Sequence, residues 1–171
     1  MRQCIILTGC LAVLFTSTVY AQSKGATDGF PLKITGYFGL VHPVATLQNS
    51  DIKMNFDNSY SVGFVSGISF QKNPKFGYSL EIVSMIEATS HSSTVKNIVI
   101  QPGVYFPLKG GWTITNRFSF ETNGRYGITP SVGKVLVKGN HPVSLTLPLP
   151  MRIGNEKDFS IGTAVLFTVG I

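Results

Sequence analysis

The last stretch of the chain, residues 159–171, reads FSIGTAVLFTVGI and largely alternates between big apolar and small side chains. Successive side chains of a β-strand point to opposite sides of the sheet, so this period of two predicts a strand with two unlike faces. One face carries Phe159, Ile161, Val165, Phe167, Val169 and Ile171, and the other carries Ser160, Gly162, Ala164, Thr168 and Gly170.

The same alternation recurs along the chain and divides it into eight segments. Residues 60–71, 112–123 and 142–153 show it most clearly, whereas 127–138 does not choose a face. Only 13% of the 171 residues are charged, which excludes disorder, and 18 glycines disfavour a helical bundle. An all-β fold is predicted, with segments at 31–43, 60–71, 76–89, 96–107, 112–123, 127–138, 142–153 and 159–171.

The strand-interior charges lie opposite the apolar face and are balanced, with three acidic and three basic residues. A solvated sheet face carries many charges, but here the non-apolar face consists mainly of Ser, Thr, Gly and Gln. The pattern indicates a narrow lumen that encloses paired charges. Counting from the strand ends predicts one layer with Glu81 and Arg117, and a second with Glu87, Glu121 and Arg152. The predicted lumen charge network is Lys33, Glu81, Glu87, Arg117, Glu121 and Arg152.

The connections give a second indication of a barrel that spans a membrane. Those at 72–75, 108–111 and 139–141 are short, and the first connection, 44–59, is long. Transmembrane barrels alternate short periplasmic turns with longer external loops and carry aromatic girdles at the membrane interfaces. The residues predicted for the girdle at the short-turn end are Phe70, Phe76, Phe106 and Trp112.

The beginning of the chain predicts export. Arg2 precedes an apolar run at 4–15, CIILTGCLAVLF, and a small-residue site ends at Ala21, which is typical of a cleaved signal peptide. A membrane anchor needs about 20 apolar residues, and lipoprotein processing at Cys10 would leave too short an apolar stretch; both are weaker alternatives. The predicted organisation is a signal peptide at 1–21, a lead at 22–30 and a barrel at 31–171. Both cysteines leave with the signal.

With its export signal, eight alternating segments, short turns and aromatic flanks, the chain resembles small bacterial outer-membrane barrels of the OmpA and OmpX type. The resemblance implies an eight-stranded antiparallel up-and-down transmembrane β-barrel in the bacterial outer membrane. It further implies a non-enzymatic monomer with a filled lumen, outer-membrane lipid around it and the outer-membrane assembly machinery as a partner. An envelope, adhesion or partner-binding role would rest on the external loops, whose own partner the sequence does not identify.

Two alternatives remain open. An exported soluble barrel that binds a lipid or another apolar ligand would turn the apolar face inward. An outer-membrane lipid A-modifying hydrolase or acyltransferase would need a serine activated by a histidine that a carboxylate orients. His91 beside Ser92 and Ser93, with Glu87 upstream, is the pairing that comes nearest to this pattern.

The sequence predicts no cofactor, no metal site and no nucleic-acid binding. His42 and His141 stand beside prolines at segment ends, where turn or rim roles are expected. Pro148 and Pro150 interrupt the seventh segment, and because proline donates no ladder hydrogen bond, a bulge, an open seam or a lateral gap is expected there.

Overall fold

The computed structural model describes residues 30–57 and 59–171. The predicted signal peptide and all but the last residue of the predicted lead lie outside the described residues. Within the described ranges, no helix is long and apolar enough to cross a membrane. The strands are β1 (Lys33–Gln48), β2 (Asp51–Met54), β3 (Tyr60–Asn73), β4 (Phe76–Ala88), β5 (Ser93–Pro107), β6 (Trp112–Glu121), β7 (Tyr126–Val137), β8 (Val143–Pro148), β9 (Met151–Gly154) and β10 (Lys157–Gly170).

The strands form a closed antiparallel barrel, which confirms the predicted fold class. Neighbours in sequence pair in the order β1, β3, β4, β5, β6, β7, then β8 with β9, and finally β10, which pairs back to β1 from Tyr37↔Gly170 to Gln48↔Ser160. The β8 and β9 strands are two parts of one wall strand, because both pair with β7 and with β10. The wall therefore has eight strands, as the sequence predicts, and β2 is an added hairpin arm on β1.

The two faces of the wall follow the sequence alternation. Along β3, Phe64, Ile68 and Phe70 point outward and are exposed, whereas Gly63 and Val65, the neighbours of Phe64, are buried inside. The β7 strand, whose segment showed no preferred face, has Ser131 inside and Val132 outside. The apolar face is thus the outer surface of the barrel, the reverse of what a soluble lipid-binding barrel requires.

Glycines on the inner face make room for large side chains from neighbouring strands. A Cβ atom at Gly67 would collide with the ring of Tyr37, and one at Gly77 would collide with the ring of Tyr105. Each aromatic ring therefore lies flat across the adjacent strand instead of pointing into the lumen. At mid-height the lumen is filled by the buried cluster Val65, Val83, Val99 and Leu166.

Three features of the fold differ from the sequence expectation. The first strand extends to Gln48 and turns back into β2 through Asn49 and Ser50, both with positive φ, which suits a two-residue hairpin. The seventh strand is interrupted between Pro148 and Met151. Apart from the first connection, loops at both ends are short, because several strands continue past the segment ends that the sequence indicated.

Candidate functional site

The first predicted charge layer, which lies nearer the short turns and is called the lower layer, joins Glu81 on β4 to Arg117 on β6. The Arg117 Nη2 atom lies 3.3 Å from Glu81 Oε2, and the two side chains are only 11% and 4% exposed. Tyr37 on β1 bridges them: its hydroxyl donates to Glu81 Oε2 at 2.9 Å and accepts from Arg117 Nη2 at 3.2 Å. Three strands thus contribute to one buried polar cluster, which we call the Glu81 cluster.

Glycines on the intervening strands bring this cluster together. Tyr37 crosses β3 at Gly67, which pairs with Glu81 in the β3–β4 ladder. Arg117 crosses β5 at Gly103, where a Cβ would lie 2.6 Å from Arg117 Cγ. From the predicted depth of Glu81 and Arg117 on strands that are not neighbours in sequence, we expected the two side chains to meet across a closed lumen. That expectation is wrong, because Arg117 leans over the single intervening strand β5, and barrel closure is instead established by the β1–β10 pairing.

The second charge layer, which lies nearer the opposite end of the barrel and is called the upper layer, joins Glu121 on β6 to Arg152 on β9. The Arg152 Nε donates to Glu121 Oε1 at 2.7 Å, and the Asn97 amide donates to Glu121 Oε2 at 2.7 Å. Arg152 crosses β7 and donates to the Ile128 carbonyl and to Thr129 Oγ1 on the way. The Asn123 amide, in the turn that follows β6, also donates to Glu121 Oε2 at 3.0 Å.

A hydroxyl and amide cluster connects the upper layer to the barrel interior. Gln101 Nε2 donates to Ser119 Oγ at 2.7 Å and to Thr129 Oγ1 at 3.1 Å, and Ser119 has no exposed surface. Sequence reasoning missed these residues, and it missed Tyr37, because short polar side chains on an inner face carry no distinctive pattern.

Lys33 and Glu87 do not join either layer. Lys33 is exposed at the short-turn end of β1, and no ion pair involves it within the part of the chain that the structure describes. Glu87 lies at the opposite rim, outside the apolar belt, and pairs with Lys96 and with the Ser59 hydroxyl. The hydrogen bond from Lys96 lowers the pKa of Glu87 below its usual value. Counting from strand ends misplaced Glu87 because barrel strands are tilted and staggered, so equal counts do not mean equal depth.

The half of the lumen nearest the short turns contains an open cavity of about 360 Å³, lined by both polar and apolar groups, which we call the lumen well. Its lining reaches the strand ends at Lys33, Gln71 and Ser144, and its blind end is formed by Glu81 and Arg117. Hydroxyl groups form much of its wall: Thr35, Ser69, Ser79, Thr113, Thr115 and Thr146. The sequence analysis did not anticipate this well.

The residues predicted for the aromatic girdle all lie on the outer surface at the short-turn end, where they are exposed: Phe70, Phe76, Phe106 and Trp112. The Lys134 ammonium lies 4.7 Å from the centroid of the Trp112 ring and donates to the Gly110 carbonyl. A second group of outward aromatic residues, Phe120, Tyr126 and Phe159, lies near the loop end. The sequence analysis did not single out this second group.

The His91, Ser92, Ser93 and Glu87 arrangement that the enzymatic alternative would need is not assembled. In an exposed loop His91 Nδ1 lies 2.6 Å from Ser90 Oγ rather than from Ser92 or Ser93. The Glu87 carboxylate, which would have to orient the imidazole, is instead engaged by Lys96. Across residues 30–57 and 59–171, no group of three metal-ligating side chains is found.

The other two histidines have defined surroundings. His42 lies in the β1–β2 arm, where its Nε2 is 2.9 Å from the Tyr60 hydroxyl and its ring packs against Phe56. A hydrogen bond joins the start of β3 to the same arm, because the Ser61 N–H donates to the Asn55 side-chain oxygen at 2.7 Å. His141 lies 3.2 Å from the Gly170 carbonyl at the other end of the barrel.

The prolines of the seventh wall strand interrupt its hydrogen-bond ladder without shifting its register. The pairs Leu166↔Thr146 and Ser160↔Arg152 on either side of the break share one register. Between them, the Leu149 N–H donates to the Pro130 carbonyl and the Gly162 N–H donates to the Pro150 carbonyl. Pro148 and Pro150 therefore leave two hydrogen bonds to β10 without an N–H donor, but the strand continues in the same register.

No protein-family model and no curated protein sequence matches the chain. Among solved structures, the chain is similar to the outer membrane protein OprG from Pseudomonas aeruginosa, with 9% sequence identity and a TM-score of 0.32 over 81% of this chain and 92% of that one. By its closed wall of eight antiparallel strands, the chain resembles in architecture the small outer-membrane barrels of the OmpA and OmpX type.

Proposed function

We propose that this chain is an integral outer-membrane barrel, non-enzymatic and with a filled lumen, that acts through the arm and loops at the end opposite the short turns. One observation carries the proposal: the outer surface is apolar between two groups of aromatic residues, while the buried ion pairs face the lumen. Large exposed apolar patches on a soluble monomer are rare, so a surface of this kind favours lipid as its surroundings.

The spacing of the aromatic groups supports this assignment. Trp112 and Phe120 face outward at the two ends of β6, eight residues apart. At about 3.3 Å per residue and a tilt of about 40°, they are about 20 Å apart along the barrel axis. With the rings included, this agrees with the apolar band of about 25 Å that outer-membrane barrels present.

The interior supports a role other than conduction. Valine and leucine side chains fill the lumen at mid-height, and the Gln101–Ser119–Thr129 cluster lies beside them. An eight-stranded barrel has an interior just wide enough for side chains. We expect no stable conductance from the purified protein in planar bilayers; reproducible open-channel currents would contradict the filled lumen.

Membrane integration is tested by fractionation. We expect the expressed chain to remain in the outer-membrane fraction after carbonate washing, to require detergent for extraction, and to change its gel migration on heating. A soluble secreted β-barrel is the matched control. If the chain stays monomeric in solution without detergent, the proposal is wrong.

The proposed loop role rests on the arm formed by the end of β1 and by β2. On this arm Ile52 is 68% exposed and Phe56 is 71% exposed, well away from the aromatic group at the short-turn end. Apolar side chains at a protruding tip are suited to binding an apolar partner surface. We expect Ile52→Ser with Phe56→Ser to lower the adhesion of expressing cells to a hydrocarbon phase, and Val95→Ser, on another exposed strand end, to leave adhesion unchanged. Equal adhesion of all variants would argue against the arm.

The enzymatic alternative is tested by assaying purified barrel for release of acyl chains from lipid A. We expect none, because the histidine, serine and carboxylate do not form a relay. Acyl release that disappears in His91→Ala would overturn the non-enzymatic proposal.

A further inference from the structure

We infer that the lumen well is a binding site for a small organic carboxylate. The inference concerns a cavity that the proposed loop role does not use, and it depends on neither the loops nor the orientation in a membrane.

Two unused hydrogen-bond donors converge at the blind end of the well. Ser79 on β4 and Arg117 on β6 are both paired with Gly103, one from each side. The Ser79 hydroxyl is buried without a partner within the described part of the chain, and so is Arg117 Nε. Buried donors are nearly always paired, so two unpaired donors on residues that line the well point to an acceptor that they would meet once both side chains turn toward the cavity.

The charge of the well favours an anionic acceptor. The lining holds three cationic residues, Arg117, Lys33 and Lys134, and a single carboxylate, Glu81, although the Lys134 ammonium itself lies over the Trp112 ring. Both contacts of the guanidinium with the Glu81 cluster pass through Nη2, which leaves Nε for a second carboxylate. A planar guanidinium is well suited to carboxylate recognition, and the Tyr37 hydroxyl donates to the same Glu81 oxygen that the guanidinium approaches.

The size and lining of the well restrict the ligand further. A volume of about 360 Å³ lies at the small end of the range for ligand pockets. Those pockets are mostly apolar, whereas the wall here is about evenly divided between apolar surface and polar groups, among them threonine and serine hydroxyls. A small carboxylate that carries hydroxyl groups therefore matches both the donors at the blind end and the wall.

The test uses the full-length mature barrel in detergent micelles, titrated with sodium gluconate while backbone amide NMR shifts are recorded. Sorbitol, which has the hydroxyls without the carboxylate, is the matched neutral probe. We expect saturable shifts confined to the lining of the well with gluconate and no saturation with sorbitol. Equal responses to both probes, or no saturation with either, would overturn the inference, the second outcome indicating that the well holds only water.

Two variants locate the carboxylate. Ser79→Ala removes an unpartnered hydroxyl from the well, and Ser131→Ala removes another buried, unpartnered hydroxyl that does not line it. We expect Ser79→Ala to weaken gluconate binding several-fold and Ser131→Ala to leave it unchanged. Arg117→Lys keeps the charge but loses the guanidinium donors, and we expect at least a tenfold loss of affinity with the barrel still folded by its NMR spectrum. Unchanged affinity in both Ser79→Ala and Arg117→Lys would place the anion elsewhere.

Discussion

Removal of the Arg117 guanidinium from the Glu81 cluster should destabilise the barrel strongly. The two charged atoms lie 3.3 Å apart and the Glu81 side chain is 4% exposed. At an effective dielectric constant of about 20, the attraction across this distance is about 5 kcal/mol. Arg117→Met leaves the carboxylate buried with only the Tyr37 hydroxyl as a partner, and breaking one member of a buried pair typically costs about 3–5 kcal/mol.

The second substitution of the cycle removes the stranded charge. In Glu81→Gln with Arg117→Met, the amide can still accept from Tyr37 and no buried charge is left unpaired. We expect the double variant to lose at most about 2 kcal/mol, less than Arg117→Met alone. Glu81→Gln alone leaves a buried guanidinium and should cost an intermediate amount.

The assay is reversible urea unfolding of the barrel in lipid or detergent, followed by Trp112 fluorescence and by gel migration. Lys33→Met is the matched control: this cation is exposed at the barrel mouth and should change the free energy of unfolding by less than about 0.5 kcal/mol. Additive losses in the cycle would show that the two side chains are not coupled and would refute the reasoning.

Three further expectations can be measured on the same preparation. Leu147→Arg places a charge on the apolar outer surface, close to the aromatic residues of the short-turn end, and should lower the free energy of unfolding by about 2 kcal/mol. Thr146 lines the lumen well, and Thr146→Arg should lower it by less than about 1 kcal/mol. Equal losses in urea unfolding would contradict the assignment of the two faces. Gly67→Ala should destabilise the barrel by about 1–3 kcal/mol, because the new methyl group displaces the Tyr37 ring. The loss should be smaller in a background that carries Tyr37→Ser. An unchanged unfolding midpoint in Gly67→Ala would contradict the packing of the Tyr37 ring on Gly67. Glu87 has a folded pKa below its unfolded value, so its stabilising contribution is present above about pH 4.5 and is lost as the pH falls through the folded pKa. Glu87→Gln should therefore cost up to about 1 kcal/mol at neutral pH and progressively less as the solution is made more acidic. A difference in melting that does not change with pH would contradict the ion pair.

The alternation of side chains determined the class of the fold by itself. In β3 and β10 the big apolar residues and the small residues occur with a period of two, and this period is a local property of an extended chain. Together with the turns between segments, it indicates how many wall strands there are and, except in β7, which face of each is apolar, because both follow from neighbouring residues alone. The aromatic residues beside the short turns could be placed for the same reason.

The tertiary structure alone decided which side chains meet inside. Strand stagger sets the relative depth of residues on different strands, and stagger is a property of the closed sheet and not of any one segment. That is why Glu121 and Arg152 form a pair while Glu87 lies at the rim with Lys96. The path of Tyr37 over Gly67, the β2 arm and the lumen well depend in the same way on close contacts between strands, for which a single sequence carries no signal.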